Sequence, residues 1–248
     1  ATAEIYTLSL HDALPISAAS ICTYGASDMT AESVASDAER MDRHYRFQRL
    51  VYDLTREHYL LGRKHLIGEL RPDPGDSVLE IGCGTAWNLV QIARHYPHSR
   101  LYGVDISNAM LDTARRSLAR NKLEERITLR QGDAAAFNPG ELFGRTQFDR
   151  VFISYALSMI PCWSDVLEHA ATLIAAGGSL HVVDFGTSES LPAPLRTALF
   201  AFLSRFSVTP RPDLEARCRE LAAAHQLQFR HATLYRGYSH YAVLQRTG

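Results

Sequence analysis

The chain lacks several features that would by themselves fix its class. Its four cysteines lie far apart and form no CxxC pair, which argues against a zinc site or a disulfide framework. No uninterrupted apolar run approaches the ~18 residues that a membrane-spanning helix needs. A basic excess is also missing, because 26 Lys and Arg stand against 27 Asp and Glu, and this disfavours nucleic-acid binding. The composition is that of a globular domain, with 46% hydrophobic and 21% charged residues in 248.

The near-zero net charge conceals an uneven distribution. Residues 1–38 hold five acidic residues and no Lys or Arg, and residues 72–191 are also acidic overall. Residues 39–71 carry eight basic and five acidic residues, and residues 192–248 carry eight and three. An acidic centre between two basic segments suits an enzyme that works at an anionic membrane surface.

Residues 1–38 are predicted to stand outside the folded domain. Glu4 to Ile16 can be reverse-translated into a string that resembles a widely used short-read sequencing adapter, translated in frame. A native segment or a signal peptide is the alternative, but a signal peptide needs a positive first region and a long apolar core. Residues 18–38 are small and polar, which is typical of a flexible lead-in.

Beyond this lead, the pattern predicts two parts, a helical lid over residues 39–72 and a main domain over residues 73–248. The main domain alternates short apolar runs with helical stretches, which indicates a doubly wound, mostly parallel α/β sheet. The seven runs predicted as strands are Ser77–Ile81, Arg100–Val104, Ile127–Gln131, Arg150–Ser154, Ser179–Asp184, Gln228–Leu234 and Ser239–Leu244. The last two are too close together for a crossover and predict an antiparallel hairpin at the sheet edge.

The run VLEIGCGTAWN is a strand, a glycine turn and a helix start. Gly82 and Gly84 allow a sharp turn and a close approach of a ligand to the backbone. A dinucleotide fingerprint would require glycine at position 87, where this chain has tryptophan. Glu80 would repel a pyrophosphate and favours a cationic or zwitterionic ligand. Asp105 ends the next strand, where an acid can accept both hydroxyls of a ribose.

Together with RQGDAAAF and FDRVFISYALSMIP, these runs resemble the class I S-adenosylmethionine-dependent methyltransferases over roughly residues 45–246. The resemblance implies a Rossmann-like fold, S-adenosylmethionine as cofactor and S-adenosylhomocysteine as its product. It implies the cofactor-binding residues Tyr52, Glu80, Gly82, Cys83, Gly84, Thr85, Asn88, Asp105, Ile106, Met110, Gly132, Asp133, Ala134 and Ser154. Ala86 stands where the family often has a third glycine, a mild departure that is expected only to narrow the loop.

A closer resemblance lies in YRFQRLVYDLTREHYLLGR, SYALSMIPCW, HVVDFG and FSVTPR, which look like the N-methyltransferase of bacterial betaine-lipid synthesis. It implies repeated methylation of the amine of diacylglycerylhomoserine. Phosphatidylethanolamine, a soluble small amine or a quinone remain alternative acceptors. A nicotinamide oxidoreductase and a non-catalytic cofactor-binding protein are the rivals from other classes, and Trp87 and Ala86 oppose the first.

Methylation of an amine depends mainly on positioning, with a hydrogen-bond acceptor to take the proton or orient the lone pair. Ser154 and Tyr155, at the end of the fourth strand, are the predicted catalytic pair, and Tyr52 is predicted to close the site. Tyrosine faces suit a quaternary ammonium product. The candidates are Tyr45, Tyr52, Tyr59, Tyr155, Tyr235, Tyr238 and Tyr241. The histidines show no metal-ligand spacing, so no metal is assigned.

Residues Leu191–Phe206 predict an amphipathic helix with Leu195, Leu199, Phe202, Leu203 and Phe206 on one face. This face could lie in a bilayer interface or pack over the sheet as a pocket lid. The expected location is cytoplasmic, with possible peripheral contact with the inner membrane face, and no nucleic-acid partner is expected.

Overall fold

The computed structural model of the chain describes residues 60–204 and 208–248. Its strands are β1 Ser77–Ile81, β2 Arg100–Asp105, β3 Ile127–Gln131, β4 Phe148–Ser154, β5 Ile174–Phe185, β6 Gln228–Leu234 and β7 Ser239–Gln245. Its helices are α1 Arg63–Leu70, α2 Trp87–His95, α3 Asn108–Asn121, α4 Pro139–Phe143, α5 Trp163–Thr172, α6 Ala193–Ser204 and α7 Leu214–Ala224, with a 3₁₀ turn at Leu157–Met159.

The seven strands form one sheet in the order β3-β2-β1-β4-β5-β7-β6. Strands β1 to β5 are mutually parallel, while β7 runs antiparallel to both β5 and β6. The sheet is therefore mixed, and its mostly parallel layout with a β6–β7 hairpin agrees with the prediction. The order reverses between β1 and β4, and in such sheets the crevice for a ligand opens at the carboxyl ends of these strands.

Strand β5 is twice as long as predicted. The sequence IAAGG at its start lacks the apolar alternation that marks a strand, so only Ser179–Asp184 was expected. In the structure Ile174 pairs with Phe148 before a register shift, and the backbone of Gly178 packs so closely on β4 that a Cβ there would lie 2.7 Å from the Asp149 carbonyl oxygen. The first part of β5 thus pairs with β4 through its backbone, at positions whose side chains do not show the pattern of a strand.

Two apolar clusters hold the helices against the sheet. One joins α1, α2 and α3 to one face of the sheet, and the other joins α5 and α7 to the opposite face. Local capping fixes where two of the helices begin: the Ser107 hydroxyl accepts from the N–H of Met110, and the Asn138 side chain accepts from the first turn of α4. The central strand β1 is buried at all five positions, as a strand covered on both faces must be.

Of the predicted helical lid over residues 39–72, the described residues contain only its last part, α1. The Arg150 side chain fixes the end of α1 by donating to the carbonyls of Leu70 and Arg71. Just before α1, Gly62 adopts a left-handed conformation close to Val183 of β5. A lid is not confirmed, and the rest of the range lies outside the described residues. Among the helices described, none is long and apolar enough to cross a bilayer.

Candidate active site

A cavity opens at the carboxyl ends of β1 and β4, beside the point where the strand order reverses. Its walls come from the glycine loop after β1, the start of α2, the residue that ends β4 and the chain entering α1. The lining residues are Leu60, Arg63, Glu80, Gly82, Cys83, Thr85, Trp87, Asn88 and Ser154. Six of the predicted cofactor residues are among them: Glu80, Gly82, Cys83, Thr85, Asn88 and Ser154.

The glycine loop is held in place by hydrogen bonds from its backbone N–H groups to the end of β2. The N–H groups of Gly82 and Cys83 both donate to the Val104 carbonyl, and the Gly84 N–H donates to Asp105 Oδ2 at 2.7 Å. These amide groups are thus already used within the protein, whereas a phosphate-binding loop would aim them at the ligand. Gly82 has a φ of +72°, and a Cβ there would lie 2.7 Å from the Cβ of Ala156. Only glycine fits this position.

Ala86, at the third position of the loop, also has a left-handed backbone with a φ of +59°. The expectation that alanine would only narrow the loop was therefore incomplete. A left-handed backbone costs a residue with a Cβ roughly 1–2 kcal/mol, a cost that glycine avoids. The Ala86 side chain is fully buried, so its packing offsets part of this cost.

A buried polar chain runs along one wall of the cavity. Glu80 is 1% exposed, and its Oε1 accepts from the Asn88 amide at 2.5 Å. The Asn88 Oδ1 in turn accepts from Arg63 Nε at 2.8 Å. Arg63 is itself buried, and its guanidinium carbon lies 3.8 Å from the centroid of the Trp87 ring. The wall therefore presents the carboxyl group of Glu80 and the guanidinium of Arg63, joined through the amide of Asn88.

Arg63 and Leu60 were not predicted from the sequence, where Trp87 served only as evidence against a dinucleotide site. Arg63 lies in a helix that carries no motif, and its place in the cavity depends on the packing of α1 against β5 and α2. The neighbouring basic residue Lys64 is exposed on the same helix. Nothing in the local sequence distinguishes the two.

Asp105 ends β2 at the side of the glycine loop. Its Oδ2 accepts from Gly84 N–H, and its Oδ1 accepts from Ser107 N–H at 2.9 Å. An ionised carboxylate offers about four acceptor sites. Asp105 thus shapes the loop at the sheet edge where the ribose prediction places an acceptor.

The remaining predicted cofactor residues follow β2 and β3. Ile106 is 47% exposed, whereas Met110 is buried in α3. Gly132 packs so closely that a Cβ would meet Val104 at 2.9 Å, and the exposed Asp133 accepts from the Ala135 N–H. Ala134 is half-buried next to Asp133. These residues lie at the same sheet edge as the cavity, at the ends of β2 and β3.

Ser154 is the predicted catalytic residue that the structure brings into the cavity. It ends β4 with 6% of its surface exposed, and its hydroxyl has no hydrogen-bond partner among the described residues. A buried hydroxyl without a partner is costly unless a ligand satisfies it. This orphan hydroxyl, beside Glu80 and the glycine loop, is an observation that fits a polar ligand in the cavity.

Tyr155 does not line the cavity. Its side chain turns to the other side of the β4 end and is buried, with its hydroxyl hydrogen-bonded to the Leu61 carbonyl and 2.7 Å from Ser239 Oγ. Burial raises the pKa of this phenol well above its usual value, so Tyr155 is neutral. The geometry makes it an anchor for the chain that enters α1, which differs from the predicted contact with substrate.

The other tyrosines predicted for a substrate rim differ in their position. Tyr52, with Tyr45 and Tyr59, lies outside the described residues. The Tyr241 hydroxyl is buried against His181 Nδ1 at 2.7 Å, so this ring belongs to the core and not to the rim. Tyr238 packs against Phe185, and Tyr235 is largely exposed.

Comparison with known proteins assigns the fold and the loop to a class. Residues 78–178 match a family model described as a methyltransferase domain. The chain is similar to demethylmenaquinone methyltransferases of Lactobacillus johnsonii, with 26% identity over 61% of this chain, and Symbiobacterium thermophilum, with 31% identity over 54%. It spans 64% and 51% of the length of these two relatives.

A solved structure of phosphoethanolamine N-methyltransferase 2 from Haemonchus contortus, in complex with S-adenosylhomocysteine, shares the fold. The TM-score is 0.59 at 15% identity, covering 75% of this chain and 52% of that one. The family match over residues 78–178 identifies a methyltransferase domain within the chain, and the solved structure shares its fold. Both findings agree with the predicted enzyme class and cofactor.

Proposed function

We propose that the protein transfers a methyl group from S-adenosylmethionine to an acceptor carried by a lipid. The observation that carries the first half of this proposal is the set of polar groups that line the cavity. It gathers Glu80, Arg63 and the Ser154 hydroxyl at the carboxyl ends of β1 and β4, beside the glycine loop. Bound there, S-adenosylmethionine would supply a sulfonium-activated methyl group.

Each residue of the wall is suited to a different charged group of such a cofactor. Arg63 is suited to its methionine carboxylate, because a guanidinium pairs well with a carboxylate. Glu80 favours the cationic part of the ligand and orients Asn88, and Asp105 offers a carboxylate to the ribose hydroxyls. The loop glycines allow the ligand to lie against the backbone.

The proposed methyl acceptor is an amine on a lipid headgroup, with diacylglycerylhomoserine as the specific candidate. Its support is the resemblance of four sequence runs to betaine-lipid N-methyltransferases, together with the chemistry available at the end of β4. Ser154 can accept a hydrogen bond from an amine and so orient its lone pair. Tyr155 acts on this site through the segment it anchors, which makes it a positioning residue.

A quinone is the second candidate acceptor. The named relatives at 26% and 31% identity are demethylmenaquinone methyltransferases, and such a ring also resides in a lipid phase. Both candidates require the same cofactor cavity. They differ in the acceptor atom, and therefore in the mass and fragmentation of the product.

The test is methyl transfer from isotopically labelled S-adenosylmethionine to extracted bacterial lipids, followed by mass spectrometry. Label in a headgroup that gains up to three methyl groups supports the amine, and a single label in a quinone fraction supports the alternative. Label in neither fraction, from protein that binds S-adenosylhomocysteine in calorimetry, would contradict a lipid-borne acceptor. Binding of NAD instead of S-adenosylhomocysteine would contradict the cofactor assignment.

A further inference from the structure

Exposed apolar side chains are concentrated on one edge of the molecule. Among the described residues, the large hydrophobic side chains with more than a third of their surface exposed are Leu61, Ile106, Leu195, Phe202 and Tyr235. All five lie at the carboxyl edge of the parallel strands, the edge where the cavity opens. We call this set the apolar rim.

The topology explains why five distant sequence positions meet at one edge. Ile106 directly follows the end of β2, and the Leu61 carbonyl is bonded to Tyr155, which follows the end of β4. Tyr235 lies in the β6–β7 turn, and this turn is at the same edge because Ser239 pairs with Phe185 at the end of β5. Helix α6 follows that end of β5 and carries the other two residues.

Helix α6 has an apolar surface facing water. Arg196 is its one ionisable residue, and Leu203 is the residue it buries. Its exposed positions are Ala193, Pro194, Leu195, Thr197, Ala198, Ala201, Phe202 and Ser204. Leu195 is 60% exposed and Phe202 is 43% exposed. A surface helix normally turns charged residues to the solvent, and an apolar outer face indicates a surface that another phase or partner covers.

We propose that the apolar rim, with α6 at its centre, docks on an anionic lipid bilayer. The outer face of α6 holds Leu195, Phe202 and small residues, a composition that can lie in the apolar part of a bilayer surface. Helix α6 carries Arg196 and no acidic residue, which suits an anionic surface. Arg236 is exposed beside Tyr235 in the rim, an aromatic and basic pair typical of a membrane interface.

This inference rests on the proposed function, since a lipid-borne acceptor is the reason for the cavity to open towards a bilayer. Docking through the rim would hold the mouth of the cavity at the headgroup level. An acceptor in the bilayer could then enter the site without leaving its lipid environment.

The experiment is flotation of the full chain with vesicles of phosphatidylcholine alone or with phosphatidylglycerol added. The test variant is Leu195→Glu/Phe202→Glu. The control, Ala119→Glu/Ala223→Glu, adds the same charge at exposed positions of α3 and α7 near the opposite edge. We expect wild type and control to float with anionic vesicles, and the test variant to lose roughly ten-fold or more of this binding.

Calorimetry with S-adenosylhomocysteine separates this proposal from the proposed function. All three proteins should bind the product with equal affinity. If wild-type protein binds S-adenosylhomocysteine but does not float with either kind of vesicle, the docking surface is overturned and the cofactor assignment is left intact. Equal flotation of the test variant would overturn the assignment to the rim. A wild-type dimer that ignores vesicles and dissociates on the test substitution would show that α6 is a protein interface.

Discussion

At the scale of single residues, the hydroxyls of Ser154 and Ser77 differ in their hydrogen bonding. Both residues are almost fully buried at the ends of central strands. The Ser77 hydroxyl donates to Asp149 at 2.6 Å, whereas the Ser154 hydroxyl has no partner among the described residues. Because the Ser154 hydroxyl also lines the cavity, it is available to a polar ligand bound there.

We therefore expect Ser154→Ala to leave the free energy of unfolding unchanged or to raise it slightly, while methyl transfer slows. The matched control, Ser77→Ala, should lower the stability by about 1–3 kcal/mol, because it leaves buried groups unsatisfied at a site remote from the cavity. Urea denaturation measures the first effect and label transfer the second. A large loss of stability in Ser154→Ala would contradict the role assigned to its hydroxyl.

Asp105 carries the ribose assignment. Asp105→Ala removes an acceptor that faces the cofactor loop and also frees the Gly84 N–H that it fixes. We expect S-adenosylhomocysteine to bind more weakly by on the order of 1–3 kcal/mol. Asp112→Ala, which removes an exposed acid from α3, is the control and should bind normally. Equal calorimetric affinities for wild type and Asp105→Ala would disprove the assignment.

At the scale of elements, Tyr155 joins three segments that are distant in sequence. Its backbone has a left-handed φ of +56°, which turns the ring away from the cavity and towards Leu61 and Ser239. The Ser239 hydroxyl also donates to the Leu61 carbonyl at 2.9 Å. The chain before α1 is thus fastened to the ends of β4 and β7 at one point.

Tyr155→Phe is expected to destabilise the protein by about 1–2 kcal/mol, because it removes a buried hydroxyl from this junction. Ser239→Ala should have a similar effect, and the double variant should cost less than the two single variants together, since both hydroxyls share the Leu61 carbonyl as acceptor. A positioning role further predicts that Tyr155→Phe lowers kcat with little change in the affinity for S-adenosylhomocysteine. Additive stability losses would contradict a shared junction.

The position of a site residue could be predicted from the sequence where a single strand and the loop after it determine that position. Strand β1, the glycine turn, Asp105 and Ser154 could be predicted, because parallel strands with alternating helices bring their carboxyl ends to one edge. The orientation of Tyr155 could not be predicted, since it depends on the sign of a single backbone angle after β4. Arg63 was missed because its burial results from long-range packing, for which a single sequence carries no pattern.

At the scale of the whole molecule, two buried groups on β5 respond to acid in opposite ways. Burial lowers the pKa of His181 to about 3, with Arg150 and Arg230 acting in the same direction. Burial raises the pKa of Asp184 to about 6, although N–H groups around Ser158 partly oppose the shift. Both side chains are almost completely inaccessible, so these shifts act directly on the free energy of unfolding.

The signs follow from proton uptake in the two states. The unfolded chain binds a proton on histidine below pH 6.5 and folded His181 binds one only near pH 3, so stability is lost as the pH falls through that window. Folded Asp184 binds its proton near pH 6 and an unfolded aspartate near 3.8, so its contribution is fully present below 3.8 and is lost as the pH rises through 6. Between pH 6 and 4 the two effects oppose each other.

Asp184→Asn should therefore steepen the loss of stability between pH 6 and pH 4, because it removes the group that opposes His181. The change over this window is on the order of 2–3 kcal/mol, from the two-unit shift of Asp184. His181→Gln should have the reverse effect and make the protein more stable at pH 4 relative to pH 7. Urea denaturation at pH 7, 6, 5 and 4 measures both slopes. Parallel pH profiles for wild type and both variants would show that neither group titrates as its burial requires, and opposite changes in slope would identify β5 as the main determinant of acid sensitivity.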